Sequence, residues 1–127
     1  MIKVMLVDDH PLFREGINAR LSMSDDIVVI SEAENGKDAL QKIEALNPDI
    51  VLMDINMPEM NGMDVLELVA EKDIDTKFIV LSMHEDKEYI VRVIRMGAHG
   101  YMLKDVSGDE MIAAIKKVYC GEKHFSN

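Results

Sequence analysis

The sequence has little cysteine and few aromatic residues, and these shortages exclude several kinds of protein. Cys120 is the only cysteine among 127 residues, so the chain can form no intrachain disulfide. A secreted domain stapled by disulfides is therefore excluded, and a reducing compartment is favoured. There is no tryptophan, and the three tyrosines and three phenylalanines argue against a surface on which nucleic-acid bases stack.

Long hydrophobic runs and excess positive charge are also missing. No apolar run approaches the ~20 residues that cross a bilayer, so we expect no membrane contact and a cytoplasmic location. Fourteen basic residues stand against 24 acidic ones, and the net charge of −10 disfavours direct contact with a phosphate backbone. The remaining composition, 48% hydrophobic and 30% charged, fits one globular domain.

Short apolar segments alternate along the chain with amphipathic ones. The apolar segments, which predict five strands, lie at about residues 2–7, 27–30, 50–53, 78–81 and 100–103. The amphipathic segments predict five helices at about residues 11–23, 36–46, 63–71, 86–96 and 107–119. Because the strands are continuously apolar, both faces of the sheet should be buried. The pattern predicts a doubly wound, three-layer α/β/α domain with a five-stranded parallel sheet.

Polar side chains stand at the carboxyl ends of four predicted strands, where open parallel sheets bind ligands. They are Asp8 and Asp9 after the first strand, Asp54 after the third, Ser82 after the fourth and Lys104 after the fifth. Three close carboxylates raise one another's pKa, and a hard divalent cation relieves this repulsion. Oxygen ligands favour Mg²⁺ over Zn²⁺, for which the sequence has no cysteine–histidine set. With the metal and Lys104 nearby, Asp54 is predicted to be a carboxylate nucleophile toward phosphorus.

Each of these residues taken alone has a simpler structural interpretation. An acidic pair after a strand most often caps a helix, and a proline that can begin a helix does follow at residue 11. A single aspartate at a strand end usually forms a turn, a serine usually caps a helix, and a lysine is usually solvated. The functional interpretation rests on their joint placement at four strand ends.

The ordered motifs resemble those of the response-regulator receiver family over essentially the whole chain. The matching segments are Val7-Asp8-Asp9-His10, residues 49–58, Asn61-Gly62, Val80-Leu81-Ser82 and Leu103-Lys104. The resemblance implies a receiver domain over residues 1–122 with the flavodoxin-like strand order 2-1-3-4-5. Many receivers have proline after the lysine, often with a cis bond. Here Asp105 follows, and a cis bond would cost roughly 2.5–4 kcal/mol.

The resemblance also implies roles for individual residues. Asp54 would accept a phosphoryl group, which Lys104 would contact. Asp9, Asp54 and the backbone carbonyl of Asn56 would ligate Mg²⁺, for which Mn²⁺ is a possible substitute, and Asp8 would assist through water. Asn56 and residue 84, a histidine near the mouth of the site, could tune the lifetime of the phosphoryl group by gating water.

Signalling is implied by the same resemblance. Ser82 and Tyr101 would form a switch pair, in which the hydroxyl moves toward the phosphate and the aromatic ring turns inward. The phosphoryl group would come from a histidine kinase or a small phosphodonor, with weak self-phosphorylation and slow autodephosphorylation rather than conventional enzyme turnover. Phosphorylation is expected to favour a homodimer through the helix at 107–119, with the first helix as a further candidate surface.

The last part of the chain, from Lys104-Asp105 to Gly121-Glu122, resembles NarL/FixJ regulators, whose receivers precede a LuxR-type helix-turn-helix domain. We therefore expect residues 123–127 to begin a linker to a DNA-binding domain outside this chain, through which transcription is controlled. A stand-alone phosphorelay receiver that acts on a protein partner is the alternative.

Two enzyme classes are disfavoured. A Mg²⁺-dependent aspartyl phosphatase would carry D-x-D after its first strand, which Asp8-Asp9-His10 does not supply. A dinucleotide-binding domain would carry G-x-G-x-x-G at the same place, and the sequence has none there.

Overall fold

Strands and helices alternate along the chain as the hydrophobic pattern predicts. The computed structural model describes residues 1–57, 60–83 and 87–125. The strands in this part of the chain are β1 (Ile2–Val7), β2 (Ile27–Ala33), β3 (Ile50–Asp54), β4 (Lys77–Ser82), β5 (Gly100–Leu103) and β6 (His124–Phe125). The helices are α1 (Pro11–Leu21), α2 (Gly36–Leu46), α3 (Gly62–Glu71), α4 (Lys87–Arg95) and α5 (Gly108–Tyr119). The predicted start of the fourth helix at residue 86 lies outside the described residues.

All strand pairs are parallel, in the order β2-β1-β3-β4-β5-β6. The flavodoxin-like order of the first five strands is confirmed, but the predicted count of five is wrong. The sixth strand is two residues long and pairs His124 with Gly100 and Phe125 with Tyr101. A two-residue strand has no periodicity, so a sequence pattern cannot reveal it.

Helices cover both faces of the sheet, because successive side chains of each strand point to opposite sides. On β1, Met5 and Val7 join the apolar cluster under α2, α3 and α4, whereas Val4 and Leu6 join the cluster under α1 and α5. The central strands β3 and β4 alternate in the same way. The three-layer arrangement is therefore confirmed, and the sheet is buried on both faces.

Side-chain caps set where several helices begin. Asn35 accepts a hydrogen bond from the amide of Asp38 at 2.8 Å, and Ser107 accepts one from the amide of Glu110 at 3.1 Å. At the start of α3, Asn61 and the third helical residue exchange side-chain-to-backbone hydrogen bonds in a capping box. These caps satisfy amide groups that the first helical turn leaves without partners.

Among the described residues, no helix combines the length and hydrophobicity needed to span a bilayer. No cis peptide bond occurs in the described part of the chain, so the Lys104–Asp105 bond is trans.

Two helical glycines should respond oppositely to substitution by alanine. A Cβ at Gly36, the first residue of α2, would lie 2.7 Å from the backbone oxygen of Met60, in the segment that leads from β3 to α3. We expect Gly36→Ala to destabilise the domain by about 1–3 kcal/mol through this overlap. Nothing lies within 4 Å of a Cβ at Gly16 inside α1, so Gly16→Ala should stabilise it by about 0.5–1 kcal/mol. Urea unfolding of both variants is the measurement, and equal midpoints would contradict the packing argument.

Candidate functional site

Three charged side chains meet at the carboxyl ends of β1, β3 and β5. The ammonium of Lys104 lies 2.7 Å from Asp8 Oδ2 and 3.0 Å from Asp54 Oδ2. Asp8 is 2% exposed, Asp54 3% and Lys104 8%, so the group is almost sealed from solvent. Residues separated by about a hundred positions are thus in direct contact, as the strand-end argument predicts. One ammonium between two carboxylates leaves the buried trio one negative charge in excess.

Burial and pairing act in opposite directions on these groups. Burial raises the pKa of Asp54, and hydrogen bonds from the Asn56 amide and from Lys104 offset this only in part. For Lys104, burial lowers the pKa, but hydrogen bonds and attraction to Asp8 and Asp54 outweigh burial, so the pKa is raised overall. Lys104 is therefore held as a cation, whereas burial disfavours the ionised form of Asp54, which further positive charge would favour.

The acidic pocket, formed by Asp8 and Asp54 of the trio together with Asp9 and His10, fits a hard cation. Asp8, Asp9, His10 and Asp54 each offer a donor atom, and these atoms all lie within 4.8 Å of one another. Asp9 Oδ1 is sealed from solvent and accepts no hydrogen bond of good geometry from any described residue, whereas Asp8 Oδ2 is paired with the Lys104 ammonium. A sealed carboxylate oxygen such as Asp9 Oδ1 is costly unless a cation is bound. Three carboxylates and few other donors match the preference of Mg²⁺ for oxygen.

Asn56 is exposed and lies two residues after Asp54. Its backbone amide donates a hydrogen bond to Asp54 Oδ1 at 3.0 Å, whereas Lys104 donates to Asp54 Oδ2 at 3.0 Å. The two oxygens of Asp54 are therefore held by different partners. The histidine expected near the mouth at residue 84 lies outside the described residues.

Comparison with known proteins identifies the family to which this site belongs. Residues 4–116 match the family described as the response regulator receiver domain. This chain belongs to that family. Receiver domains generally bind Mg²⁺ through acidic residues, and aspartyl phosphate is general to them.

Curated relatives and solved structures agree with the family match. The receiver domain is 41% identical over 120 residues to the transcriptional regulatory protein DegU of Brevibacillus brevis, which covers 94% of this chain and 51% of DegU. It is 38% identical over 119 residues to the nitrate/nitrite response regulator protein NarL of Escherichia coli K12, covering 94% and 55% of the two chains. The receiver domain of a putative NarL of Mycobacterium tuberculosis superposes with a TM-score of 0.92 at 36% identity, covering 95% and 98%. The chain thus spans about half the length of these curated relatives.

The two residues expected to form a switch pair lie on neighbouring strands. Ser82 ends β4 and is 2% exposed, and its backbone oxygen accepts a hydrogen bond from the Lys104 amide at 2.9 Å. Tyr101 pairs with Val80 in the register of β4 and β5, and its side chain is fully buried. The ring of Tyr101 is therefore already buried in this conformation, which is the position expected for it on phosphorylation.

Two residues of α1 belong to the site although sequence reasoning overlooked them. The ring centroid of Phe13 lies 4.5 Å from Lys104 Nζ, a cation–π distance. Arg14 donates through its terminal guanidinium nitrogen to the carbonyl of Asp8 and through Nε to Glu32 at 3.0 Å. Arg14 thereby ties the acidic pair to β2. Their position in the sequence could have indicated this role, because both residues lie in the first turn of the helix that follows Asp8-Asp9.

Proposed function

We propose that this receiver domain accepts a phosphoryl group on Asp54 from a histidine kinase in a Mg²⁺-dependent reaction. The observation that carries the proposal is the position of Lys104, buried between Asp54 and Asp8 beside an acidic pocket. Lys104 balances only one of the two buried carboxylates. The site therefore retains a negative charge that a further cation, Mg²⁺ in this proposal, would balance. A cytoplasmic location, where a kinase could transfer the group, belongs to the same proposal.

The reaction follows from how the Asp54 carboxylate is held. One of its oxygens attacks the phosphorus of the donor, a new oxygen–phosphorus bond forms, and the bond from phosphorus to the donor's leaving group breaks. Asn56 orients the carboxylate through its amide, and Lys104 can follow the phosphoryl oxygens because its ammonium has three donors. Asp9, Asp54 and the backbone carbonyl of Asn56 would hold the cation, and Asp8 would assist through water. When bound, Mg²⁺ supplies positive charge that offsets the phosphoryl oxygens.

Intact-mass measurement with acetyl phosphate tests the metal-dependent chemistry. The expected result is the addition of one phosphoryl group per chain with Mg²⁺ and little or none with a chelator. The adduct should be stable in acid and labile in base, as an acyl phosphate is. Equal labelling with and without Mg²⁺ would contradict the proposal.

The metal role of Asp9 predicts a separable loss. Asp9→Ala should weaken Mg²⁺ binding by about tenfold or more and slow phosphorylation, because it removes a carboxylate ligand. The metal-free variant should remain folded and be as stable as the parent or more so, since a like charge leaves a crowded site. Titration calorimetry with Mg²⁺ and urea unfolding are the measurements. Asp25→Ala, in the loop at the opposite end of the sheet, is the control, and unchanged Mg²⁺ affinity of Asp9→Ala would refute the role.

The proposed output is a conformational switch that favours a homodimer. The apolar stripe of α5, which includes Met111, Ile115 and Val118, packs on the chain's own sheet, while Tyr119 is 47% exposed. A contact through α5 and α1 would therefore use their outer faces. A complete shift from 1:99 to 99:1 takes about 5.5 kcal/mol, more than one neutral hydrogen bond supplies. Phosphate contacts with Lys104 and the metal must therefore contribute along with Ser82.

Sedimentation velocity of the domain with and without a beryllofluoride mimic tests this output. A dimer that forms only with the mimic, and that substitution of Tyr119 by a charged residue weakens, is expected. Two monomeric species at high micromolar concentration would refute self-association. Release of a DNA-binding domain would then be the favoured output.

Transcriptional control is proposed for the full-length protein. Relatives about twice as long as this chain include one named a transcriptional regulatory protein and one named a nitrate/nitrite response regulator. Their length supports a LuxR-type DNA-binding domain joined after residue 122. With a net charge of −10, the receiver itself would contact no DNA. A stand-alone phosphorelay receiver is the alternative, and the sequence of the complete gene separates the two.

A further inference from the structure

His10 adds a nitrogen donor to a pocket that otherwise offers oxygen. Its Nδ1 lies 3.0 Å from Asp8 Oδ1 and 3.1 Å from Asp9 Oδ1. Its backbone amide also donates to Asp8 Oδ1 at 2.8 Å, so the residue is fixed against the acidic pair by its main chain. His10 precedes α1 with an extended backbone, and its side chain makes no capping hydrogen bond to the helix. The ring is therefore directed at the pocket rather than at the helix.

The donor atoms of this cluster are close enough to share one ion after small movements. Ligands at about 2.1 Å from one ion lie within about 4.2 Å of each other, and the four donors here lie within 4.8 Å. Asp9 Oδ1, the neighbour of His10 Nδ1, is buried and accepts no good hydrogen bond among the described residues. An ion bound here would satisfy Asp9 Oδ1 and would replace the hydrogen bond between His10 Nδ1 and Asp8 Oδ1, which is 3.0 Å long.

Metal ions differ in how much they gain from such a nitrogen. Mg²⁺ prefers oxygen and keeps several waters, so it gains little from an imidazole. Ni²⁺, Cu²⁺ and Zn²⁺ bind imidazole well and exceed Mg²⁺ in affinity for mixed nitrogen and oxygen sites. His10 is two-thirds exposed, and its Nε2 can carry the ring proton while Nδ1 faces the ion.

We propose that His10 Nδ1 is a ligand for borderline transition-metal ions in the pocket of Asp9 and Asp54, and that it contributes little to binding of Mg²⁺. This inference rests on the proposed metal site but not on phosphotransfer. The pocket then discriminates poorly against Ni²⁺, Cu²⁺ and Zn²⁺. These ions would bind the same carboxylates as Mg²⁺ and therefore compete with it for the reaction site. An ion held by the extra protein ligand would also keep fewer open positions for phosphoryl oxygens.

Calorimetric titrations with Ni²⁺ and Mg²⁺ test the inference. His10→Ala should weaken Ni²⁺ binding by about tenfold or more and change Mg²⁺ affinity by less than about threefold. His10→Asn can still donate to the carboxylates but is a poor nitrogen ligand, so it should behave like His10→Ala. If His10→Asn restores parental Ni²⁺ affinity, or if His10→Ala leaves it unchanged, the proposal is overturned.

Electron paramagnetic resonance of the Cu²⁺ complex identifies the ligand directly. Nitrogen hyperfine structure is expected from the parent and from His84→Ala, and it should be absent from His10→Ala. Persistence of the nitrogen signal in His10→Ala would refute the assignment. A parent that binds Cu²⁺ or Ni²⁺ but not Mg²⁺ would instead refute the proposed Mg²⁺ site and leave the role of His10 standing, so the two failures are distinguishable.

Discussion

Asp54→Asn is expected to take up no phosphoryl group from acetyl phosphate under conditions that label the parent domain fully. The substitution nearly preserves shape but replaces an ionised oxygen nucleophile with a neutral amide. The amide oxygen can still accept the hydrogen bond that the Asn56 amide gives to Asp54 Oδ1. Loss of reaction would therefore reflect lost chemistry rather than a rearranged loop.

The variant should remain folded, because the carboxylate is not a stabilising element. Burial raises the pKa of Asp54, which means that folding disfavours its ionised form. Intact mass with Mg²⁺ present is the measurement. Asp75→Asn, an exposed aspartate at the other end of the sheet, is the control that should label like the parent. Normal labelling of Asp54→Asn would remove Asp54 as the acceptor.

Lys104→Met is expected to lose both stability and reactivity. The ammonium of Lys104 contacts two buried carboxylates, and methionine keeps most of its volume beside Phe13 without the charge. Removing one partner from a buried ion pair leaves the remaining charge uncompensated and costs about 3–5 kcal/mol. Saturating Mg²⁺ should return part of the loss, because it binds the folded state and supplies positive charge to the same carboxylates.

Urea unfolding with and without Mg²⁺ measures this effect. The matched control is Lys72→Met, because the ion pair of Lys72 with Glu44 is about half exposed and should be worth no more than about 1 kcal/mol. If Lys104→Met were as stable as Lys72→Met in the absence of metal, the buried trio would not be the electrostatic centre of the site. Labelling of Lys104→Met with acetyl phosphate should also be much slower than that of the control.

The sequence predicts the strand ends well because parallel topology leaves little freedom. Continuous apolar segments require burial on both faces, and crossover helices then place every carboxyl end on one edge. Asp8, Asp54 and Lys104 consequently meet without any further assumption. An antiparallel hairpin with one face in solvent would not have fixed all strand ends on the same edge of the sheet.

Features that depend on packing between elements escape sequence reasoning. The approach of Phe13 to Lys104 is decided by how α1 lies on the sheet, and the direction of the His10 ring by the turn before it. β6 is held by pairing with β5 rather than by its own hydrophobic pattern. The buried ring of Tyr101 belongs to one conformation, and no pattern of residues states which conformation of a switch is present.

Reduction of the phosphorylated domain with sodium borohydride tests the central claim most directly, because borohydride converts an aspartyl phosphate to homoserine. After reaction with acetyl phosphate and Mg²⁺, peptide sequencing by mass spectrometry should find homoserine at residue 54 alone. Homoserine at Asp8 or Asp9, or a phosphoryl group retained on a serine or histidine with residue 54 unchanged, would contradict the account.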